Sequence, residues 1–151
     1  MKNAVPLLLL ALVLAVPSLA AQSAKEMDAL LSDERVSYAR AARYVLPAAG
    51  VLPAAVSEAE AFGAALERGW LPAGADPAGF IRLDQQAYLV MKAFSLDGGL
   101  MYSLFPGPRY AYRELSYRQY IQGRRDPAQP VPGSRLVRIL GRVLDAKGGG
   151  E

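Results

Sequence analysis

The sequence contains one kind of segment twice, and this repetition constrains the fold more than any other feature. The stretches "ADPAGFIRLDQQAYLVMKAF" (residues 75–94) and "RDPAQPVPGSRLVRILGRVL" (residues 125–144) each place an Asp-Pro turn before apolar residues at helical spacing. At an offset of 50, residues 76–78 are identical to residues 126–128. A unit that recurs at a fixed period usually buries its apolar face against its neighbours. We therefore expect the units to share one core.

Each repeated unit has the pattern of a helix, a turn and a second helix. In the earlier unit, Ser57 and Glu60 can form a capping box where the first helix begins, and Gly69 suits the left-handed position where it ends. In the later unit, Gly123 begins the turn and Ser134 fits the N-cap of the second helix.

A third copy of the second helix lies nearer the start of the chain. Val36 and Val45 match Ile81 and Val90 at an offset of 45. The pattern predicts an all-α fold of about five helices, arranged as two and a half helix-turn-helix units. The segment "SLDGGLMYSLFPGP" (residues 95–108) belongs to none of these units, and we expect a short extended or hairpin-like insertion near residues 97–106.

The beginning of the chain predicts export. Residues 1–20 combine Lys2, an apolar run and small residues, which is the pattern of a signal peptide. The apolar run over residues 4–16 is shorter than the roughly 20 residues that a transmembrane helix needs, so we expect no membrane anchor after cleavage. The remaining chain divides into a lead-in over residues 21–35, a helical domain over residues 36–145 and a flexible Gly-rich tail over residues 146–151. We expect the protein in the periplasm or at the cell surface.

The units resemble S-layer homology repeats, in which an aromatic-Ala-x-x-x-apolar helix, a Gly-bearing turn with a nearby Asp and a second helix follow one another. The matching pieces are "VSYARAARYVL", "AFGAALERGWLPAGADPAGFI" and "YAYREL" with "QYIQGRRDPAQPV", so the resemblance covers about residues 36–144. It implies a pseudo-threefold helical domain that holds an exported protein noncovalently to anionic cell-wall polysaccharide. The family's Thr-Arg-Ala-Glu positions read Ser-Tyr-Ala-Arg at 37–40, Arg-Leu-Asp-Gln at 82–85 and Pro-Gly-Ser-Arg at 132–135, so its ligand-binding residues are not carried over.

The composition closes most routes to catalysis. The chain has no His and no Cys, which excludes Ser-His-Asp triads and thiolate or His-bearing metal sites. A carboxylate-only glycan hydrolase stays open, with Glu67 and Asp76 on either side of Trp70. Both carboxylates have the pattern of ordinary surface and turn residues. We therefore predict a non-catalytic protein that needs no cofactor and no metal.

Charge is distributed unevenly and points to an anionic partner. Residues 101–151 carry 9 basic and 4 acidic side chains (net +5), whereas residues 21–100 carry 7 and 10 (net −3). Arg135, Arg138 and Arg142 form one basic stripe on the last predicted helix. The candidate ligand-binding residues are Trp70, Arg118, Tyr120, Arg124, Arg125, Arg135, Arg138 and Arg142.

Two kinds of partner follow from these candidates. The first is cell-wall polysaccharide or another anionic envelope component, which the arginines would contact. The alternative is a periplasmic interaction or assembly protein that keeps only the helical scaffold and captures a protein partner through residues 95–108. Export argues against nucleic acid.

Overall fold

The computed structural model describes residues 22–123 and 126–149, and within these ranges the fold is all-α, as predicted. The described residues form no strand beyond two isolated β-bridges. Residues 22–123 and 126–149 form seven helices, where about five were predicted. They are α1 (residues 22–32), α2 (Tyr38–Ala48), α3 (Glu58–Glu67), α4 (Leu83–Ala93), α5 (Leu100–Leu104), α6 (Pro108–Tyr117) and α7 (Gly133–Gly148).

The local signals that begin and end the first repeated helix are confirmed. The hydroxyl of Ser57 accepts the N–H of Glu60 at 3.2 Å, and the Glu60 carboxylate accepts the N–H of Ser57 at 3.0 Å, which completes the capping box. Gly69 and Gly123 have φ angles of +68° and +81°, a conformation that glycine adopts without steric cost. At the offset of 50, however, Gly69 aligns with Gln119, whose φ angle is +62°. Helices α3 and α6 therefore end in the same way, and Gly123 lies four residues further along the later turn and does not begin it.

The three segments that precede α2, α4 and α7 meet at the centre of the molecule. The N–H of Val36 donates to the carbonyl of Val131 at 2.8 Å. The N–H of Ile81 donates to the carbonyl of Val36 at 3.0 Å, and the N–H of Val131 donates to the carbonyl of Ile81 at 3.2 Å. The three bonds close a ring, and all three side chains are buried. These residues are the ones that the 45- and 50-residue offsets align, so the sequence repeat corresponds to a pseudo-threefold arrangement.

A second set of backbone bonds surrounds this ring. The N–H groups of Tyr38, Leu83 and Gly133 again occupy equivalent positions, and they donate at 2.9, 3.0 and 2.9 Å to the carbonyls of Gly79, Gln129 and Asp33. Outside the ring, the second helix of one unit packs on the first helix of the next, α2 on α3 and α4 on α6. The apolar stripes of the units thus close over one core, as predicted.

Three details of the prediction are wrong. The segment near residues 97–106 is not extended but contains the short helix α5, because Leu100–Leu104 has no β-branched residue and is rich in helix-forming Leu and Met. Ser134 is not the N-cap of α7, since the helix begins at Gly133 and Pro132, two residues before Ser134, is the N-cap. Helix α7 also continues to Gly148, beyond the boundary predicted at residue 145.

The ends of the chain are described only in part. The predicted signal peptide, residues 1–20, lies outside the described residues. Most of the predicted lead-in is helix α1, and its Leu30 is fully buried. None of the helices in the described ranges combines the length and apolar character needed to cross a bilayer.

Candidate functional site

Three arginines of α7 line one open groove beside the turn that follows α6. Arg135, Arg138 and Arg142 are spaced by three and four residues, which places them on the same helical face. Opposite them lie Gln122 and Gly123 of the turn, and the groove encloses about 450 Å³. We call this surface the arginine groove; its lining residues are Gln122, Gly123, Pro132, Arg135, Arg138 and Arg142.

Backbone carbonyls of the turn hold two of the guanidinium groups in place. Arg135 donates from Nη2 to the carbonyl of Gln122 at 3.2 Å, and Arg142 donates from Nη1 to the carbonyl of Tyr120 at 3.0 Å. A guanidinium is a planar group with five N–H donors in fixed directions, so a bond of this kind sets its orientation. The turn therefore orients the arginines along the groove.

The electrostatics of the groove disfavour additional positive charge. Burial and the neighbouring charges of Arg138 and Arg142 lower the pKa of Arg135, and Tyr112 opposes this shift in part. Among the described residues, no carboxylate forms a salt bridge with Arg138 or Arg142. An anion in the groove would relieve the mutual repulsion of the arginines.

Arginines also occupy the equivalent positions of the first unit, whose second helix is α2. Both of these arginines are paired with carboxylates. Arg40 and Arg43 align with Arg135 and Arg138 through the combined offsets. Arg40 forms a salt bridge with Asp33 at 2.7 Å, and Arg43 approaches Glu26 at 3.9 Å. Carboxylates of the preceding lead-in thus pair with these two arginines.

The second unit places aromatic residues at its corresponding surface. Trp70 and Tyr88 line a groove with Gln85, and this groove is separate from the arginine groove. Cations stand near both rings, with Arg68 5.5 Å from the centre of Trp70 and a lysine at the same distance from Tyr88. The structure therefore does not bring Trp70 to the predicted basic site.

Two more predicted site residues have structural partners. Arg118 donates to Glu114 at 2.9 Å and also to the carbonyl of Asp97, so it joins the end of α6 to the segment before α5. Tyr120 packs partly buried against the core, and its carbonyl is the atom that meets Arg142. The remaining two candidates, Arg124 and Arg125, lie outside the described residues.

The carboxylates considered for hydrolysis have ordinary surface settings. Asp76 accepts the N–H of Ala78 at 3.1 Å within its turn, as the aligned Asp126 does from Ala128 at 3.0 Å. Glu67 is exposed at the end of α3. In the described ranges, no group of three or more acidic side chains is placed to hold a metal ion.

The sequence reasoning missed the turn side of the arginine groove. Gln122 and Pro132 line it but were not predicted as site residues. The sequence carries no signal for them: Gln122 aligns with Pro72 at the offset of 50, but only the structure shows that Pro72 also lines a groove.

Comparison of the chain with protein-family models, with curated proteins and with solved structures found no match in any of the three. The resemblance to S-layer homology repeats therefore stays a prediction from the sequence. The ring of backbone bonds and the arginine groove are observations made on this chain alone.

Proposed function

We propose that this protein is an exported, non-catalytic module of the cell envelope that binds anionic cell-wall glycan through the arginine groove. The observation that carries the proposal is the alignment of Arg135, Arg138 and Arg142 along one open surface, with no carboxylate of the described residues paired to the last two. The predicted signal peptide supports export, and the resemblance to S-layer homology repeats supports a polysaccharide ligand.

The residue type suits such a ligand. A guanidinium is planar, stays charged and can form two parallel hydrogen bonds with a carboxylate or a phosphate. A polymer that carries one acidic group per repeating unit can meet several arginines at once, which adds contacts without requiring a deep pocket. The open shape of the groove suits a long polysaccharide that extends beyond it at both ends.

The first unit serves as an internal comparison. Its arginines at the equivalent positions are paired with Asp33 and Glu26, so they have little to gain from an external anion. Binding through charge alone would involve basic residues over the whole surface. The proposal instead assigns binding to the unit that is formed by α6 and α7.

Co-sedimentation with purified cell-wall polysaccharide tests this assignment. We expect the protein to sediment at low salt and to be released as salt rises, because exposed charge interactions are screened. Replacing the three groove arginines by Gln should weaken binding at least about tenfold, since charge-assisted hydrogen bonds contribute about 1.5–3 kcal/mol each.

A matched variant controls for net charge. Lys25, Arg35 and Arg68 are exposed and lie outside the arginine groove, so replacing them by Gln removes the same charge elsewhere. We expect this variant to stay within about threefold of the wild type, as scattered surface charges contribute little. Equal losses for both variants, or no sedimentation of the wild type at low salt, would rule out the proposed site.

A further inference from the structure

Helix α5 presents apolar side chains to solvent. Leu100, Leu104 and Phe105 are 73%, 60% and 61% exposed, and Tyr117 of the neighbouring helix α6 is 84% exposed. Leu100 and Leu104 are four residues apart and share one face of α5. We call this surface the α5 patch; its members are Leu100, Met101, Leu104, Phe105 and Tyr117. Contiguous apolar surface of this kind is uncommon on soluble proteins and usually marks a contact site.

The fold holds the patch in this exposed position. Tyr102 on the opposite side of α5 is buried, and that burial raises its pKa to about 12. Glu114 of α6 accepts the N–H of Gly99 at 3.0 Å, directly before α5, and Arg118 bonds to the carbonyl of Asp97. Burial raises the pKa of Glu114, but the bonds from Gly99 and Arg118 outweigh burial and hold it below its ordinary value. The apolar face therefore cannot turn inward without breaking these contacts.

Arginines of α6 supply positive charge beside the patch, and Glu114, which lines the same cavity as Arg113, is paired with Arg118. Arg109 and Arg113 are exposed on the adjoining first turns of α6, and Arg113 lines the shallow cavity between α5 and α6. No acidic residue occurs in the sequence between Asp97 and Glu114, and the Glu114 carboxylate is already bonded to Arg118. The surface thus combines an apolar tip with a basic border.

We propose that the α5 patch docks on the surface of an anionic lipid bilayer. Leu100, Leu104 and Phe105 enter the boundary between headgroups and acyl chains, and the two arginines contact lipid phosphates, as long basic side chains do at membrane interfaces. This contact is separate from the arginine groove and does not depend on glycan binding.

Two features favour a bilayer over another protein molecule. The α5 patch offers five large apolar side chains, and a few inserted apolar side chains suffice at a membrane surface. A two-fold dimer through the patch would also bring Arg109 and Arg113 of both copies together without carboxylates to pair them.

Vesicle binding tests the proposal, with the purified mature protein, residues 21–151, and vesicles of phosphatidylcholine alone or with phosphatidylglycerol. We expect the wild type to favour vesicles that contain phosphatidylglycerol. Replacing Leu100 and Leu104 by Gln should lower the partition coefficient at least about tenfold, because each removes an inserted apolar side chain. Replacing Arg109 and Arg113 by Gln should remove the preference for phosphatidylglycerol, about fivefold per arginine.

The matched control replaces Leu31 and Leu144, two leucines that are each 44% exposed elsewhere, by Gln, and should stay within about twofold of the wild type. The apolar residues 4–16 of the predicted signal peptide are absent from every protein compared, so the differences report on the patch. Vesicle binding that is unchanged by the α5 substitutions would overturn the proposal. So would a dimer in sedimentation analysis that these substitutions dissociate, since it would assign the patch to a second copy.

Discussion

Replacing Gly133 by Ala should destabilise the protein strongly, because Gly133 lies against the backbone of α1. A Cβ at this position would be 1.7 Å from the carbonyl oxygen of Leu30, and separating the two atoms to van der Waals distance requires a shift of roughly 1.5 Å. The obstacle is backbone and not the end of a flexible side chain. Helix α1 must therefore move away from α7.

The contacts that this movement disturbs set the magnitude. Overpacking alone costs about 1–3 kcal/mol. The movement also weakens the burial of Leu30 and the hydrogen bond from Gly133 to Asp33, so we expect a loss of about 3–5 kcal/mol in the free energy of unfolding. At about 3 °C per kcal/mol for a chain of this size, the melting temperature should fall by about 9–15 °C.

Gly141 in the same helix provides the matched control. A Cβ there meets no atom within 4 Å, so Gly141→Ala should raise stability by about 0.5–1 kcal/mol through helix propensity. Urea unfolding followed by circular dichroism measures both variants, provided that the m-value stays constant. A Gly133→Ala protein as stable as the wild type would show that α1 does not pack on α7 as described.

Three further predictions test other parts of the structure. Gln86 is fully buried and its amide finds no hydrogen-bond partner among the described residues, so Gln86→Leu should stabilise the protein by about 1–3 kcal/mol in thermal unfolding. Ser57→Ala should cost about 1 kcal/mol because it removes the capping box, whereas Ser134→Ala, which removes no cap, should change stability by less than about 0.5 kcal/mol. The pKa of Glu114 is lowered from its ordinary 4.5, so its charged form adds stability above that pH, and this contribution is lost as the pH falls through the lowered value. Glu114→Gln should therefore flatten the decline of melting temperature below about pH 4.5, and an unchanged slope would contradict the assignment.

The helical repeat could be predicted from the sequence because its signals are local or periodic. The offsets of 45 and 50 aligned Val36, Ile81 and Val131, the residues that form the central ring. The same alignment could not show that their backbones bond to one another. The start of α7 depends on tertiary packing, since Gly133 fits under Leu30 where Ser134 would not. A capping signal at Ser134 is too weak to override that contact.

The part of the candidate site that lies on one helix could be predicted from the sequence. The part that residues of other elements contribute could not. Spacing along α7 placed Arg135, Arg138 and Arg142 on one face, and the structure keeps them together. Arg118 lies outside the arginine groove and pairs with Glu114, four residues earlier, which is the ordinary spacing of a helical ion pair. Trp70 lies in another groove because aligned positions of different units are carried to different faces of the pseudo-threefold fold.

Arginine side-chain NMR tests the central claim most directly, because it reports each guanidinium separately. The Nε–Hε resonances would be followed while a soluble fragment of anionic cell-wall polysaccharide is titrated into the protein. Binding in the arginine groove predicts saturable shifts for Arg135, Arg138 and Arg142, and none for the paired Arg40 and Arg43. Shifts of similar size at all five arginines, or no shifts at the groove, would contradict it.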